Sequence, residues 1–153
     1  MKLLAVVRVR GTVGVRGDVK DTLRMLYLTR TNHCTMLWEN TSSLGMLTKV
    51  KDYVTWGELD EESAEKILRN RGELQGGQRL TDDYLKKNTE YKTLKAFARD
   101  LVRGKAELDD IPKLRPFFRL HPPRKGYGGI KRSVKEGGAL GRRNIKALIH
   151  RMR

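Results

Sequence analysis

Three short apolar runs alternate with two segments of helical periodicity in the first 59 residues. The runs span residues 3–9, 34–39 and 53–56, and their β-branched and aromatic residues are typical of strands. In the two intervening segments, apolar residues recur every three or four positions, as on one face of a helix. These residues are Val19, Leu23 and Leu26 in the first segment, and Leu44, Leu47 and Val50 in the second. The pattern predicts the order β-α-β-α-β, an α+β fold with a small three-stranded sheet and helices on one face.

The pattern changes after residue 59. Residues 60–111 open with acids suited to a helix start, and their apolar residues recur at helical spacing, so we predict a helical subdomain. Residues 117–120 favour one more strand, and residues 122–141 are irregular. The last residues predict a helix with one apolar stripe, formed by Ile145, Leu148, Ile149 and Met152. The predicted units are therefore a core over 1–59, a helical subdomain over 60–111 and a basic extended segment over 112–153.

Charge is distributed unevenly among these three units. The net charge is +15, and residues 112–153 contribute 13 Lys and Arg against a single acid, Glu136. Such an excess repels itself unless a polyanion neutralises it. Because aromatic, glycine and proline residues lie among the cations, the segment suits a backbone that follows phosphates and stacks on bases. We therefore expect a structured RNA as partner, and we expect residues 122–141 to be disordered until RNA binds.

Several classes of protein are disfavoured by the composition. Cys34 is the single cysteine, which excludes an internal disulfide and favours a reducing compartment. No apolar run approaches the ~20 residues of a membrane span, so we expect a cytoplasmic protein without membrane contact. No Walker A string, acid–base constellation or metal-ligand spacing is present. We expect no catalytic residue, no metal and no cofactor.

The candidate RNA-binding residues are cations and their aromatic neighbours. The glycine-punctuated string from Gly11 to Gly14 has arginines around it, which favours an RNA-facing loop over a KH-type clamp or a loop without contacts. Tyr127 lies among glycines and cations and favours stacking on RNA over packing in the core. Consecutive arginines before the last helix oppose its dipole, so we expect a phosphate beside them. The predicted RNA-binding residues are Arg8, Arg10, Arg16, His33, Lys49, Arg119, His121, Arg124, Lys125, Tyr127, Lys131, Arg132, Lys135, Arg142 and Arg143.

Several strings resemble a known protein family when they are taken together. They are Asn-His-Cys-Thr at 32–35, Leu-His-Pro-Pro-Arg at 120–124 and Lys-Glu-Gly-Gly at 135–138, with further matches over residues 4–11, 19–26 and 45–57. The chain resembles, over nearly its whole length, the large-subunit ribosomal protein family numbered thirty in bacteria and seven in eukaryotes, in its archaeal form. The resemblance implies a non-enzymatic constituent of the large ribosomal subunit. It also implies contacts with the large ribosomal RNA, with 5S rRNA and with neighbouring ribosomal proteins.

Two other interpretations remain open at this point. One is an RNA-modifying enzyme with a basic recognition arm, which an assay for methyl transfer to RNA would reveal. The other is a chromatin-type nucleic-acid binder, which competition between structured RNA and duplex DNA would reveal.

Overall fold

One sheet runs through the part of the chain that the structure describes, residues 2–152 of a computed structural model. Its strands are β1 (Leu3–Arg8), β2 (His33–Trp38), β3 (Val54–Glu58), β4 (Phe118–Arg119) and β5 (Gly141–Arg142). In space their order is β4-β2-β1-β3-β5. The sheet is therefore built from three long central strands and two short edge strands.

The central strand β1 sets the geometry of the sheet. It pairs antiparallel with both neighbours, so that Val7 lies opposite Cys34 on one side and Thr55 on the other. As a result, β1 leaves the sheet at the same end where β2 and β3 enter it. We call this end of the sheet the Arg8 end. At the edges, β4 runs antiparallel to β2, and β5 runs parallel to β3.

Helices cover both faces of the sheet. One face carries α1 (Gly17–Met25) and α2 (Thr41–Lys49), whose apolar residues pack on Leu4, Val6 and Val54. The other face carries the remaining helices, which are α3 (Glu61–Arg71), α4 (Asp82–Asn88), α5 (Leu94–Val102) and α6 (Ile145–Met152). Because both faces are covered, all six residues of β1 are buried.

The α+β class and the β-α-β-α-β order are confirmed, and the predicted sheet needs two corrections. It contains five strands rather than three, because the further strand predicted within residues 117–120 pairs with one edge as β4, and β5, which was not predicted, pairs with the other. Helices also lie on two faces rather than one, because α3, α5 and α6 use the face that α1 and α2 leave open. The predicted acidic start of α3 is present, with the Asp60 carboxylate accepting a hydrogen bond from the Ser63 N–H at 2.8 Å. Leu44, predicted to face inward, is 37% exposed.

The basic segment forms part of the core. Phe118 and Leu120, together with the predicted stripe of α6, pack in the same cluster as Leu3 and Ala5 of β1. Within residues 122–141, a 3₁₀ turn spans Val134–Glu136, and Ala139 and Leu140 pack against Val9. The aliphatic residues of this stretch are therefore sufficient to attach it to the sheet. Its disorder in the absence of RNA stays a prediction.

Gly57 in β3 provides a test of this packing. A Cβ here would collide with the Arg143 carbonyl oxygen and lie 3.1 Å from the Ile145 Cβ. We expect Gly57→Ala to lower the free energy of unfolding by about 1–3 kcal/mol, as overpacked cores do. Gly45 in α2 is the matched control, because a Cβ there meets nothing within 4 Å. Gly45→Ala should stabilise the protein by about 0.5–1 kcal/mol. Urea denaturation measures both changes, and a Gly57→Ala protein as stable as wild type would contradict the packing.

Candidate nucleic-acid interface

Segments that are distant in sequence meet at the Arg8 end of the sheet. The Val9 N–H donates to the Tyr53 carbonyl at 2.8 Å, and the Asn32 N–H donates to the Arg8 carbonyl at 2.9 Å. The Leu120 N–H donates to the Asn32 carbonyl at 3.1 Å. From there, the chain crosses this end of the sheet to reach β5 at the opposite edge. The connections of the three central strands and the basic segment therefore form one surface.

Most of the predicted cations lie on or beside this surface, and most lack an acidic partner. Arg16 pairs with Asp18 at 3.3 Å. Within residues 2–152, no ion pair to a carboxylate is formed by Arg10, Lys49, Arg119, Arg124, Lys125, Lys131, Arg132 or Lys135. Arg10 lies over the Tyr53 ring, 5.1 Å from its centroid, and the other seven are exposed. His121 is exposed as well. The Arg8 end is therefore strongly positive and uncompensated by the chain.

Many acids of the chain pair with cations on the side of α3. On the face of α3, Arg69 lies 3.1 Å from Glu65 and 3.6 Å from Asp82. Arg103 of the segment after α5 lies 3.2 Å from Glu61. Such exposed pairs add little stability. They do neutralise much of the charge on this side. The net positive charge is thereby concentrated at the Arg8 end.

Tyr127 attaches the basic segment to the sheet, and its stacking on RNA stays a prediction. Its hydroxyl donates to the Asn32 Oδ1 and lies 3.9 Å from the Met152 Sδ. Its half-buried ring packs beside the cluster of Val9, Ala139 and Leu140. Burial raises the pKa of the hydroxyl well above its usual value. Since the ring already has partners within the protein, it holds the loop in place.

Arg151 holds the same loop from the other side. Its Nη1 donates to the carbonyls of Arg124 and Gly126, at 3.2 and 3.1 Å. The Arg124 N–H in turn donates to the Arg151 carbonyl at 3.1 Å. The backbone of residues 124–126 therefore faces Arg151. The side chains of Arg124 and Lys125 are exposed to solvent.

Arg8 is buried by contacts within the protein, and its RNA binding stays a prediction. It is 2% exposed, its Nε donates to the Arg10 carbonyl at 2.9 Å, and its Nη1 donates to the Leu28 carbonyl at 2.7 Å. Burial lowers the pKa of its guanidinium, which still stays charged because arginine starts so high. The side chain ties the exit of β1 to the segment after α1.

His33 is also buried, and its RNA contact likewise stays a prediction. It is 8% exposed and stacks on Phe117 with the ring centroids 5.2 Å apart. The Arg119 guanidinium lies over the same Phe117 ring, 5.6 Å from the centroid. Burial lowers the pKa of His33, and the nearby Arg119, Arg30 and Arg8 lower it further. The imidazole is therefore a neutral packing group near pH 7.

Arg142 and Arg143 lie away from the Arg8 end. Strand β5 runs parallel to β3, which carries both residues toward the opposite end of the sheet. Arg142 Nη1 contacts the Glu39 Oε1 at 2.8 Å, so a carboxylate takes the place of the phosphate that we expected. Arg143 is half-buried, and burial lowers its pKa, with a smaller effect from Arg151. Neither residue belongs to the cationic surface.

Sequence reasoning missed Lys51. It lines a groove of about 480 Å³ together with Lys131, Lys135 and Trp56, and two acids, Asp52 and Glu136, line the same groove. The sequence did contain a signal, because Lys51 lies in the turn before β3. In an antiparallel pair, the start of β3 lies at the same end of the sheet as the end of β1. Exposed Arg30, next to the start of β2, was missed for the same reason.

Other kinds of site find no support within residues 2–152. No group of three His, Cys, Asp or Glu side chains is placed to hold a metal ion. Cys34 is fully buried, and burial raises its thiol pKa to about 12, so it is not a nucleophile. None of the described helices has the length and apolar character needed to cross a membrane.

An α+β sheet with an uncompensated cationic end is typical of a small nucleic-acid-binding protein. Comparison with known proteins gives the family. Residues 4–54 match the family described as "Ribosomal protein L30p/L7e". The chain belongs to this family, because the similarity to individual members extends over almost its whole length.

Three relatives illustrate this similarity, and each is named "Large ribosomal subunit protein uL30". The protein of Methanopyrus kandleri is 54% identical over 147 residues, which cover 94% of this chain and 99% of the relative. The protein of Methanocella arvoryzae is 46% identical, covering 99% of this chain and 100% of the relative. The protein of Methanoregula boonei is 48% identical, with the same coverage of 99% and 100%.

The Tyr127 hydroxyl provides a test of how the loop is held. Tyr127→Phe removes the hydrogen bond to Asn32 and should lower the free energy of unfolding by about 0.5–1.5 kcal/mol. Amide exchange near residues 127 and 139–140 should also become faster. Tyr27→Phe is the control, because Tyr27 is 51% exposed. Equal exchange rates in wild type and Tyr127→Phe would show that the hydroxyl does not anchor the loop.

The buried His33 should make stability depend on pH. Its folded-state pKa lies below the usual 6.5, so the unfolded chain takes up the proton first. Stability contributed by neutral His33 is therefore complete above about pH 6.5 and falls as the pH drops toward the folded pKa. We expect the His33→Gln protein to lose less stability than wild type when the pH falls from 7.5 to 5.5. The carboxylates and the other histidines are common to both proteins, so their contributions cancel in the comparison. An NMR titration giving His33 a pKa above 6.5 would refute this assignment.

Proposed function

We propose that the chain is a structural constituent of the large ribosomal subunit, which binds ribosomal RNA and stabilises its fold during translation. The observation that carries the proposal is the cluster of exposed, unpaired cations at the Arg8 end, on a chain closely similar to proteins named as large-subunit components. The site of action is the cytoplasmic ribosome.

The mechanism is electrostatic. Lysines and arginines at the Arg8 end neutralise close-packed phosphates and release their counterions, which favours binding. The sheet supplies a rigid support, and the loop over residues 122–141 presents Lys131, Arg132 and Lys135 from a turn that is already attached to it. Attachment through Tyr127 and Leu140 lowers the conformational entropy that the loop loses when RNA binds.

The partners we propose are the large ribosomal RNA, 5S rRNA and neighbouring ribosomal proteins. The 5S contact is the most specific part of this proposal, and it rests on the family resemblance. The 5S contact is tested by pull-down of the full chain with isolated 5S rRNA. The large rRNA and an unrelated RNA of the same length as 5S rRNA are compared in parallel. Binding of 5S rRNA no stronger than that of the unrelated RNA would remove 5S from the list.

The two rival interpretations gain nothing from the structure. An RNA-modifying enzyme would need a reactive group beside the basic surface, and the cysteine is buried with a raised pKa. A chromatin-type binder would share the electrostatics but would not distinguish folded RNA from duplex DNA. Competition at equal phosphate concentration separates these cases, and we expect ribosomal RNA to displace duplex DNA.

The salt dependence of RNA binding tests the cationic surface. Each contacted phosphate contributes ~0.9 to the slope of log affinity against log salt concentration. If the protein contacts about six to ten phosphates, the slope should be about −5 to −9. Replacing Lys131, Arg132 and Lys135 by Gln should make the slope shallower by about two to three. The control replaces three exposed cations of the middle segment, Lys86, Lys87 and Lys92, by Gln. It should leave the slope nearly unchanged. A wild-type slope shallower than about −2 would rule out the mechanism.

A further inference from the structure

Three arginines from separate parts of the chain surround one pocket beside β4. Arg71 comes from the end of α3, Arg79 from the following turn, and Arg119 from β4 itself. The pocket has a volume of about 190 Å³. Its lining residues are Asn70, Arg71, Gly72, Glu73, Gly77, Arg79 and Arg119.

The backbone between α3 and α4 brings Arg79 to this pocket. Helix α3 stops at Gly72, where a Cβ would collide with the Leu68 carbonyl oxygen. A tight turn follows, in which the Leu74 N–H donates to the Gln78 carbonyl at 2.7 Å and Glu73 pairs with Arg79 as a β-bridge. The turn returns the chain to the end of α3. There the Arg79 Nη1 donates to the Asn70 carbonyl at 3.3 Å.

Arg119 is oriented by its aromatic neighbour. Its guanidinium lies over the Phe117 ring, which in turn stacks on buried His33. A guanidinium held on an aromatic face is restricted in its orientation and keeps its hydrogen-bond donors at the edge of the plane. Those donors remain available to a ligand in the pocket.

The pocket carries a positive charge that the described chain does not neutralise. Its one acid, Glu73, already lies 3.4 Å from Arg115. Among residues 2–152, Arg71, Arg79 and Arg119 form no ion pair with a carboxylate, and the buried Arg71 Nε has no hydrogen-bond partner. The carbonyls at the end of α3 favour cations there but supply no counterion. Three guanidiniums around one open pocket therefore form a site suited to an external anion.

We propose that this pocket binds a backbone phosphate of the ribosomal RNA, which extends the RNA contact from the Arg8 end to the middle segment. The planar guanidinium fork matches phosphate oxygens in pairs. The volume holds a phosphate group together with several waters, each of which occupies ~30 Å³ in the liquid. This inference rests on the proposed function, because it takes RNA as the partner.

The test uses the full chain and protein-free large-subunit rRNA. Arg79→Gln changes an exposed side chain, and Arg71→Gln/Arg79→Gln removes two of the three guanidiniums. We expect the double variant to bind roughly 10- to 100-fold more weakly, as expected for a lost charged hydrogen-bonding contact. The salt slope should become shallower by about one. Arg79→Gln alone should show a smaller loss in the same direction, with its thermal unfolding unchanged.

Two comparisons make the outcome decisive. Lys86→Gln/Lys87→Gln removes two charges from α4 away from the pocket and should keep wild-type affinity and slope. If the pocket variants behave like this control while the Lys131, Arg132 and Lys135 variant loses affinity, the pocket proposal fails and the proposed function stands. If none of the variants loses affinity, the proposed function fails as well. The pocket variants could also bind protein-free rRNA normally but be poorly incorporated into reconstituted subunits. That result would assign the pocket to an acidic protein neighbour and overturn the proposal that it binds a phosphate.

Discussion

The burial of β1 on both faces is the constraint on which the rest of the structure depends. A strand with no exposed residue needs a helical layer on each side, and α1 and α2 supply only one of them. The second layer comes from α3, α5 and α6, so the chain beyond residue 59 is required to complete the core. The basic segment is therefore held by apolar contacts made by residues such as Phe118 and Ile149. Its cations are carried by a part of the chain that the fold already needs.

This arrangement reconciles a large positive charge with a stable fold. Repulsion among cations destabilises a compact state, and it is reduced where acids are interspersed. The acids of α3 and the residues around it serve arginines and lysines on their own side, including Lys146 of α6 through Asp60 and Glu62. Many of the cations left unpaired lie at the Arg8 end of the sheet and beside β4, and others, such as Lys86 and Lys87, are dispersed on the middle segment. At the Arg8 end and beside β4, burial of Tyr127, Leu140 and Phe117 offsets the cost of holding like charges together.

Sequence reasoning succeeded where structure is determined locally. The apolar stripe of α6 and the acidic start of α3 follow from spacing within a few residues, and each is present. Edge pairing could not be read in this way, because β4 and β5 are two residues long and their partners are distant in sequence. For the same reason, the Glu39 partner of Arg142 could not be anticipated, since 103 residues separate the two.

The RNA-binding predictions used residue type without regard to exposure, and for three of these residues the structure shows contacts within the protein. Arg8, His33 and Tyr127 are residue types common at RNA interfaces, yet each is held by contacts within the protein. Arg71 and Arg79 were overlooked because the middle segment is nearly neutral in sum. Only the turn at Gly72 and the bridge between Glu73 and Arg79 bring these two arginines together. Net charge over a segment therefore conceals a local concentration of like charges that the fold creates.

The two short edge strands have a consequence for how the protein is made. During synthesis, β1, β2 and β3 leave the ribosome long before residues 118–142, and until then both edges of the three-strand sheet have unpaired backbone groups. Exposed edges of this kind are templates for pairing with other chains. Contacts between β3 and β5 join residues about 86 positions apart, and such non-local pairing forms slowly. The nascent protein thus passes through a stage open to aggregation, which ends when its last segment pairs with both edges.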